Sequence, residues 1–240
     1  MRKRIRELNS REYEHPFDKT TLEKLEAIPV LPKIIKKLYE KSFERIDRLQ
    51  NTGSYLKINN DNLQKVYSLY SEACAILDIE KIPDLFISFD PRINGYTSGV
   101  EKPFIVLTSG AIDLLDDDEL MFLIGHELGH IKARHVLYTV MAQNFSLVAN
   151  LLGNLTFGIG GVAATGVEIA LLHWYRMSEL SCDRAGLLTC QSKKAAINFF
   201  IKLNLPSSYN HSAFQESFLK QAKDFEALDF DSLNKFFKIA

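Results

Sequence analysis

Gly125-His126-Glu127-Leu128-Gly129-His130 is the stretch from which the rest of this chain is best read. A helix turns ~100° per residue, so His126 and His130, four apart, leave one face together and can grip one metal ion. Glu127 falls beside that face, free of the metal, where a carboxylate can take a proton from water that the metal has acidified. The flanking residues describe a buried helix. Asp116 and Glu119 have capping-box spacing, and acidic residues fill the first turn. Leu120, Leu123, Ile124 and Leu128 then form an apolar stripe. Gly125 and Gly129 cost such a helix ~1 kcal/mol each relative to alanine, which is consistent with another backbone packing closely there.

The H-E-x-x-H pattern alone is short enough to arise by chance, and a catalytic zinc needs a third protein ligand. Ser178-Glu179-Leu180-Ser181-Cys182-Asp183-Arg184-Ala185-Gly186 offers one. Glu179 and Asp183 are four apart on a helical face, so Glu179 can ligate while Asp183 fixes the outer nitrogen of a ligating histidine. The alternative for this segment is an ordinary helix whose carboxylates are solvated beside Arg176 and Arg184.

Four ordered pieces extend the pattern: Asn94-Gly95-Tyr96-Thr97-Ser98-Gly99, Thr108-Ser109-Gly110-Ala111-Ile112-Asp113-Leu114-Leu115, the histidine motif with His135, and Glu179 to Gly186. Over these pieces the stretch from Ile82 to Leu188 resembles the HtpX-like and CAAX-prenyl-endopeptidase-like zinc metallopeptidases of the gluzincin group. The resemblance implies a mainly helical α+β, zincin-like fold with a small sheet beside the H-E-x-x-H helix. It also implies one zinc per chain held by His126, His130 and Glu179, Glu127 as general base, and Asp183 behind a ligating histidine. The function it implies is a zinc-dependent endopeptidase acting on protein or peptide substrates, with a role in protein quality control. The competing expectation is a catalytically silent, zinc-containing binding or chaperone-like protein associated with a membrane.

Short segments rich in aromatic and β-branched residues, Asp84 to Phe89 and Phe104 to Thr108, are expected strands, with Gly95 to Val100 as a third. By resemblance, Asn94, Gly95 and Tyr96 begin an edge that pairs with the substrate backbone. A plain Asn-Gly hairpin turn is the equally simple reading. His211 is the sole histidine after Glu179 and, by the resemblance, the candidate oxyanion donor, although Ser212 stands where the family sometimes has proline. His135 lies five residues beyond His130, a rotation of ~500°, which directs it away from the ligand histidines toward a structural hydrogen bond. His173 reads as packed or interfacial and His15 as a surface residue, or as part of an arm over the cleft.

At 240 residues and 46% hydrophobic, the chain can bury one good core. Residues 1–60, with helical apolar spacing from Leu22 to Leu49 broken by Pro29 and Pro32, read as a helical extension packed on a catalytic domain over residues 61–240. A net charge of −1 gives no positive bias for phosphate, so nucleic acid is not an expected partner. Cys74, Cys182 and Cys190 lack C-x-x-C spacing and suit reduced thiols. The basic start Met1 to Arg6 is followed by no apolar h-region, so no signal peptide is expected, and the location expected is cytoplasmic, including the cytoplasmic face of a membrane. Basic residues there read as a solvated end. From Val136 to Val167 there is no charge, but Gln143, Ser146, Asn150 and Asn154 and the glycines at 153, 158, 160, 161 and 166 interrupt a clean span. This region reads as an apolar helical hairpin over residues 136–172, packed on the catalytic domain or in peripheral contact with a membrane. The end of the chain, Phe225 to Phe237, reads as an amphipathic helix. Oligomeric state is not legible in the sequence.

Overall fold

A computed structural model describes residues 2–26, 53–143, 145, 161–205, 209 and 211–226. The chain divides into two compact units, residues 1–196 and 197–240. In the first, one turn of 3₁₀ helix at Ser10–Glu12 precedes α1 (Pro16–Glu26). Strand β1 (Leu56–Ile58), α2 (Gln64–Ile76), β2 (Asp84–Ser88), β3 (Gly95–Ser98) and β4 (Phe104–Thr108) follow. Then come α3 (Ser109–Leu114), α4 (Asp117–Lys132), α5 (Val136–Gln143), α6 (Gly161–Cys190) and α7 (Lys193–Asn204), which runs into the second unit. The second unit continues with a 3₁₀ turn at His211–Phe214 and α8 (Gln215–Glu226).

The sheet order is β1-β2-β4-β3, parallel only between β2 and β4. Every residue of β4 is buried, as befits a central strand without a wet face. β3 ends the sheet among the described residues, and it ends at Ser98 rather than Val100. Gly99 adopts φ +88° there, with the Lys102 carbonyl where a side chain would project, a turn that demands glycine. At the other end, Thr108 caps α3 by accepting from the Ala111 N–H at 3.2 Å.

Helix α4 starts as its sequence dictates. Asp116 accepts from the N–H groups of Asp118 and Glu119, while Glu119 reaches back to the Asp116 N–H at 2.9 Å. Its glycines seat α6. A Cβ on Gly129 would stand 2.9 Å from Ala185 Cβ and 3.1 Å from Cys182 Cα, and one on Gly186 of α6 would stand 2.7 Å from the Phe122 carbonyl oxygen. A Cβ on Gly125 would overlap Thr189 Oγ1, which is held by the carbonyls of Met121 at 2.8 Å and Gly186 at 2.7 Å. Gly129 therefore permits close backbone approach, and Gly125 makes room for the Thr189 side chain.

A second cluster joins α1, α5 and α6 through Leu22, Leu25, Tyr138, Met141, Phe145, Leu171 and Trp174. Thus α5 and α6, the described parts of the expected hairpin, pack against protein, while the turn between them lies outside the described residues. Among the described residues no helix is long and apolar enough to cross a membrane. The expected helices over residues 27–49 and the greater part of 225–237 also fall outside the described residues; α8 precedes the latter and was not anticipated, nor was β1.

The amino terminus differs from a solvated end. Arg2, its side chain 19% exposed, bridges Glu72 of α2 at 2.9 Å and Asp118 of α4. Lys3 exchanges backbone bonds with the Gln191 side chain at 2.9 and 2.6 Å. Two carboxylates converge on one largely buried guanidinium, and such charge-assisted bonds hold Arg2 against the protein. All three cysteines are free and buried.

Gly125→Ala tests the seating of the helices. Overpacking costs about 1–3 kcal/mol, and alanine regains ~1 kcal/mol of propensity. Because Thr189 is tethered, the variant is expected to be net destabilised in urea unfolding; equal or greater stability than wild type would contradict the packing account.

Candidate metal centre

Helix α4 presents His126 and His130 on one face, with ring centroids 5.2 Å apart. Helix α6, seated on the α4 glycines, brings Glu179 to them. His126 Nε2 lies 3.3 Å from Glu179 Oε2, and His130 Nε2 lies 3.7 Å from Glu179 Oε1. Tetrahedral zinc with bonds of 2.0–2.2 Å separates its ligand atoms by about 3.4 Å; the two distances to Glu179 bracket that value, and the three donor atoms all lie within 4.8 Å of one another, close enough to hold one ion. On the far side of the ring, His126 Nδ1 is 2.9 Å from Asp183 Oδ1, which leaves Nε2 as the free donor atom. The side chains of His126, His130 and Glu179 are 15%, 10% and 36% exposed, so the centre opens on the Glu179 side.

The electrostatics favour a cation. Burial disfavours a charged His126, but the adjacent Asp183, Glu179 and Glu127 outweigh burial and push its pKa up to about 10. Burial, aided by His126 and His135, drives His130 well below the usual histidine range, keeping it the neutral ligand form. Burial also raises the Glu127 carboxyl, as does Glu179, while His126 and a bond from Thr97 oppose the shift.

Thr97 was not anticipated as a site residue. Its Oγ1 lies 2.8 Å from Glu127 Oε2 and 2.9 Å from the Glu127 carbonyl, so it can donate to either. Strand alternation held the clue, since Gly95 and Thr97 share a face. A Cβ on Gly95 would already sit 3.4 Å from Glu127 Cγ, so the strand lies close against α4. Tyr96 points the other way, its hydroxyl 3.1 Å from that of Tyr55. Asn94 engages Thr108 with both its N–H and its carbonyl, at 3.0 and 3.1 Å.

His135 departs from the expectation that helical rotation carries it away. Helix α4 stops at Lys132, and Arg134 turns left-handed at φ +59°. The His135 N–H then bonds the His130 carbonyl at 2.9 Å, and its ring meets the His130 ring edge-on, centroids 5.4 Å apart. Its Nδ1 lies 3.5 Å from Cys182 Sγ and its Nε2 3.1 Å from Asp18 Oδ2. His130, His135 and Cys182 are near enough to form a second donor set. All three of these residues are buried, however, whereas a catalytic zinc keeps one position open, as the set with the partly exposed Glu179 does. His173 is exposed, edge-on to Phe17 at 5.1 Å. The His15 N–H donates to Ser181 Oγ at 2.9 Å, behind the centre. His211 belongs to the second unit, where its Nε2 is buried and has no hydrogen-bond partner among the described residues.

Two histidines one helical turn apart, a carboxylate from a second helix and a small sheet flanking the neighbouring glutamate define a zincin-like metallopeptidase fold. Comparison with known proteins gives the family: residues 60–233 match the model of peptidase family M48, and the chain belongs to that family, among its HtpX-like members. It is 34% identical over 92% of its length to the plastoglobule-localized metallopeptidase 48, chloroplastic, of Arabidopsis thaliana, of which it spans 64%. It is 29% identical to a protease HtpX homolog of Helicobacter pylori over 48% of this chain and 38% of that protein. A protease HtpX homolog 2 of Methanosarcina acetivorans is 26% identical over 48% of this chain and 39% of its own length. The chain thus spans less than two thirds of each of these relatives. No solved structure matches it.

Asp183→Ala leaves His126 unsupported. Zinc affinity is expected to fall about 10–100-fold in competition with a chromogenic chelator; an unchanged affinity would remove Asp183 from the centre.

Proposed function

We propose that the chain is a zinc-dependent endopeptidase that cleaves loosely folded protein substrates, with His126, His130 and Glu179 as ligands and Glu127 as general base. The observation that carries this reading is the pair of histidine-to-Glu179 distances, 3.3 and 3.7 Å, with Asp183 bonded behind His126. Zinc bound there would polarise a scissile carbonyl and lower the pKa of water toward ~7. Glu127 accepts the proton of the attacking water and returns it to the leaving amine, so that one buried carboxyl serves as base and then acid. Its raised pKa suits the second task. Thr97 holds Glu127 Oε2 toward the sheet. The substrate backbone lies along β3, starting at Gly95, which flanks Glu127 and needs no side-chain space on that face.

Glu127→Gln is expected to keep one zinc per chain and to lose casein cleavage by at least about a hundredfold, measured by metal analysis beside a fluorescent casein assay. Zinc retention in a wild type that cleaves no unfolded protein would favour a binding or chaperone-like role instead. Thr97→Val frees the base without touching a ligand. Loss of a hydrogen bond to a charged group, about 1.5–3 kcal/mol, should lower kcat roughly tenfold or more at unchanged zinc content. If kcat stays at the wild-type value, Thr97 does not orient the base.

A further inference from the structure

Asp18 is 0% exposed, in a segment that precedes residues 60–233, those matched by the family. A buried carboxylate is expensive unless every lone pair finds a partner. This one is met on three sides by side chains from behind the metal centre. The Trp174 Nε1–H donates to Oδ1 at 2.8 Å, the Ser181 hydroxyl donates to Oδ2 at 2.6 Å, and His135 Nε2 lies 3.1 Å from Oδ2. Burial raises the Asp18 pKa, and the contacts from His135, Ser181 and Trp174 outweigh it and hold the carboxyl below its ordinary range.

The partners of Asp18 are placed to act on the ligands. Ser181 lies on α6 between Glu179, which approaches both histidines, and Asp183, which holds His126. His135 packs its ring against His130. The same stretch of chain adds two further ties to α6: the His15 N–H to Ser181 Oγ at 2.9 Å and Arg184 Nη1 to the Tyr13 carbonyl at 3.1 Å. One carboxylate therefore fixes both the α6 ligand segment and the wall behind the second histidine.

We propose that Asp18 is a positioning residue of the metal centre, so that the amino-terminal segment ending in α1 is a working part of the site. This rests on the reading of His126, His130 and Glu179 as the metal centre. Asp18→Asn keeps the shape but turns one acceptor oxygen into an N–H₂ donor facing groups that are themselves donors. Leu25→Ala is the control, because it loosens the same helix in the core cluster without touching the carboxylate.

The test uses the full chain stripped of metal and titrated with cobalt(II), then with zinc against a chelator. The visible cobalt spectrum reports ligand geometry, and the emission of Trp174, the single tryptophan of the chain, reports the Asp18 contact. Asp18→Asn should weaken zinc binding about tenfold, alter the cobalt spectrum and shift the tryptophan emission, with kcat falling more than KM changes. Leu25→Ala should stay within about twofold of wild-type affinity, with a wild-type cobalt spectrum. Wild-type affinity and spectrum in Asp18→Asn would overturn the proposal, as would an equal loss in Leu25→Ala. Should Asp18→Asn fail to fold, Ser181→Ala takes its place, and wild-type affinity and spectrum there would overturn the proposal equally. A wild type that binds neither cobalt nor zinc would instead overturn the reading of the metal centre itself.

Discussion

The distance between α4 and α6 is the constraint on which the rest of this structure depends. Two of the proposed ligands ride on one helix and the third on the other, so a change in the separation of the axes changes the triangle of donor atoms directly. Gly125, Gly129 and Gly186 set that distance by removing the Cβ atoms that would hold the backbones apart. Glycine weakens a helix by ~1 kcal/mol at each position, a cost accepted here inside the helix that carries the chemistry. The sheet presses from the other side. Gly95 lets β3 settle against Leu123 and Glu127, which puts the Thr97 hydroxyl within reach of the base. Packing of small residues on both flanks of α4 thus holds His126, His130, Glu179 and Glu127 in one frame, which is what the proposed preorganised centre requires.

Charge is arranged around that frame with equal economy. Glu127, Glu179 and Asp183 converge on His126 within a largely buried space, and without a cation the histidine must hold a proton to balance them, which is why its pKa rises to about 10. His130 faces the opposite influence and stays neutral. A dication would relieve the carboxylates more completely than one proton can. The nearby Cys182 and His135 form with His130 a donor set that is buried throughout, whereas the set with Glu179 leaves an open side.

How much of this was legible in the sequence depended on the range of the interaction. The capping box at Asp116 and Glu119, the paired histidines and the Glu179-Asp183 pair are local spacings, and each emerged in place because a helix converts spacing directly into direction. The strands at Asp84 and Phe104 were legible for the same reason, through residue type and bounding prolines. β1 was missed because three residues carry too little periodicity to register. His135 was misplaced because α4 ends without the glycine that commonly marks a left-handed C-terminus. Arg134 takes that conformation instead, and rotation arithmetic fails beyond it. Thr97 was within reach of strand alternation, but its partner Glu127 lies 30 residues away on another element.

Asp18 lay beyond any local reading, 156 residues from Trp174 and 163 from Ser181. What selects it is the rule that buried polar groups need partners. Trp174, Ser181 and His135 are each 0% exposed and all aim at one spot. Remove the carboxylate and Trp174 and Ser181 lose a shared hydrogen-bond partner, each at about 1–3 kcal/mol, and His135 loses the charge 3.1 Å from its ring. The identity of residue 18 and the identities of these α6 and post-α4 residues are therefore mutually dependent. A family match over residues 60–233 marks where the chemistry is carried. Satisfaction of buried polar groups marks a different boundary, and by that measure the structure that supports the proposed metal centre includes α1.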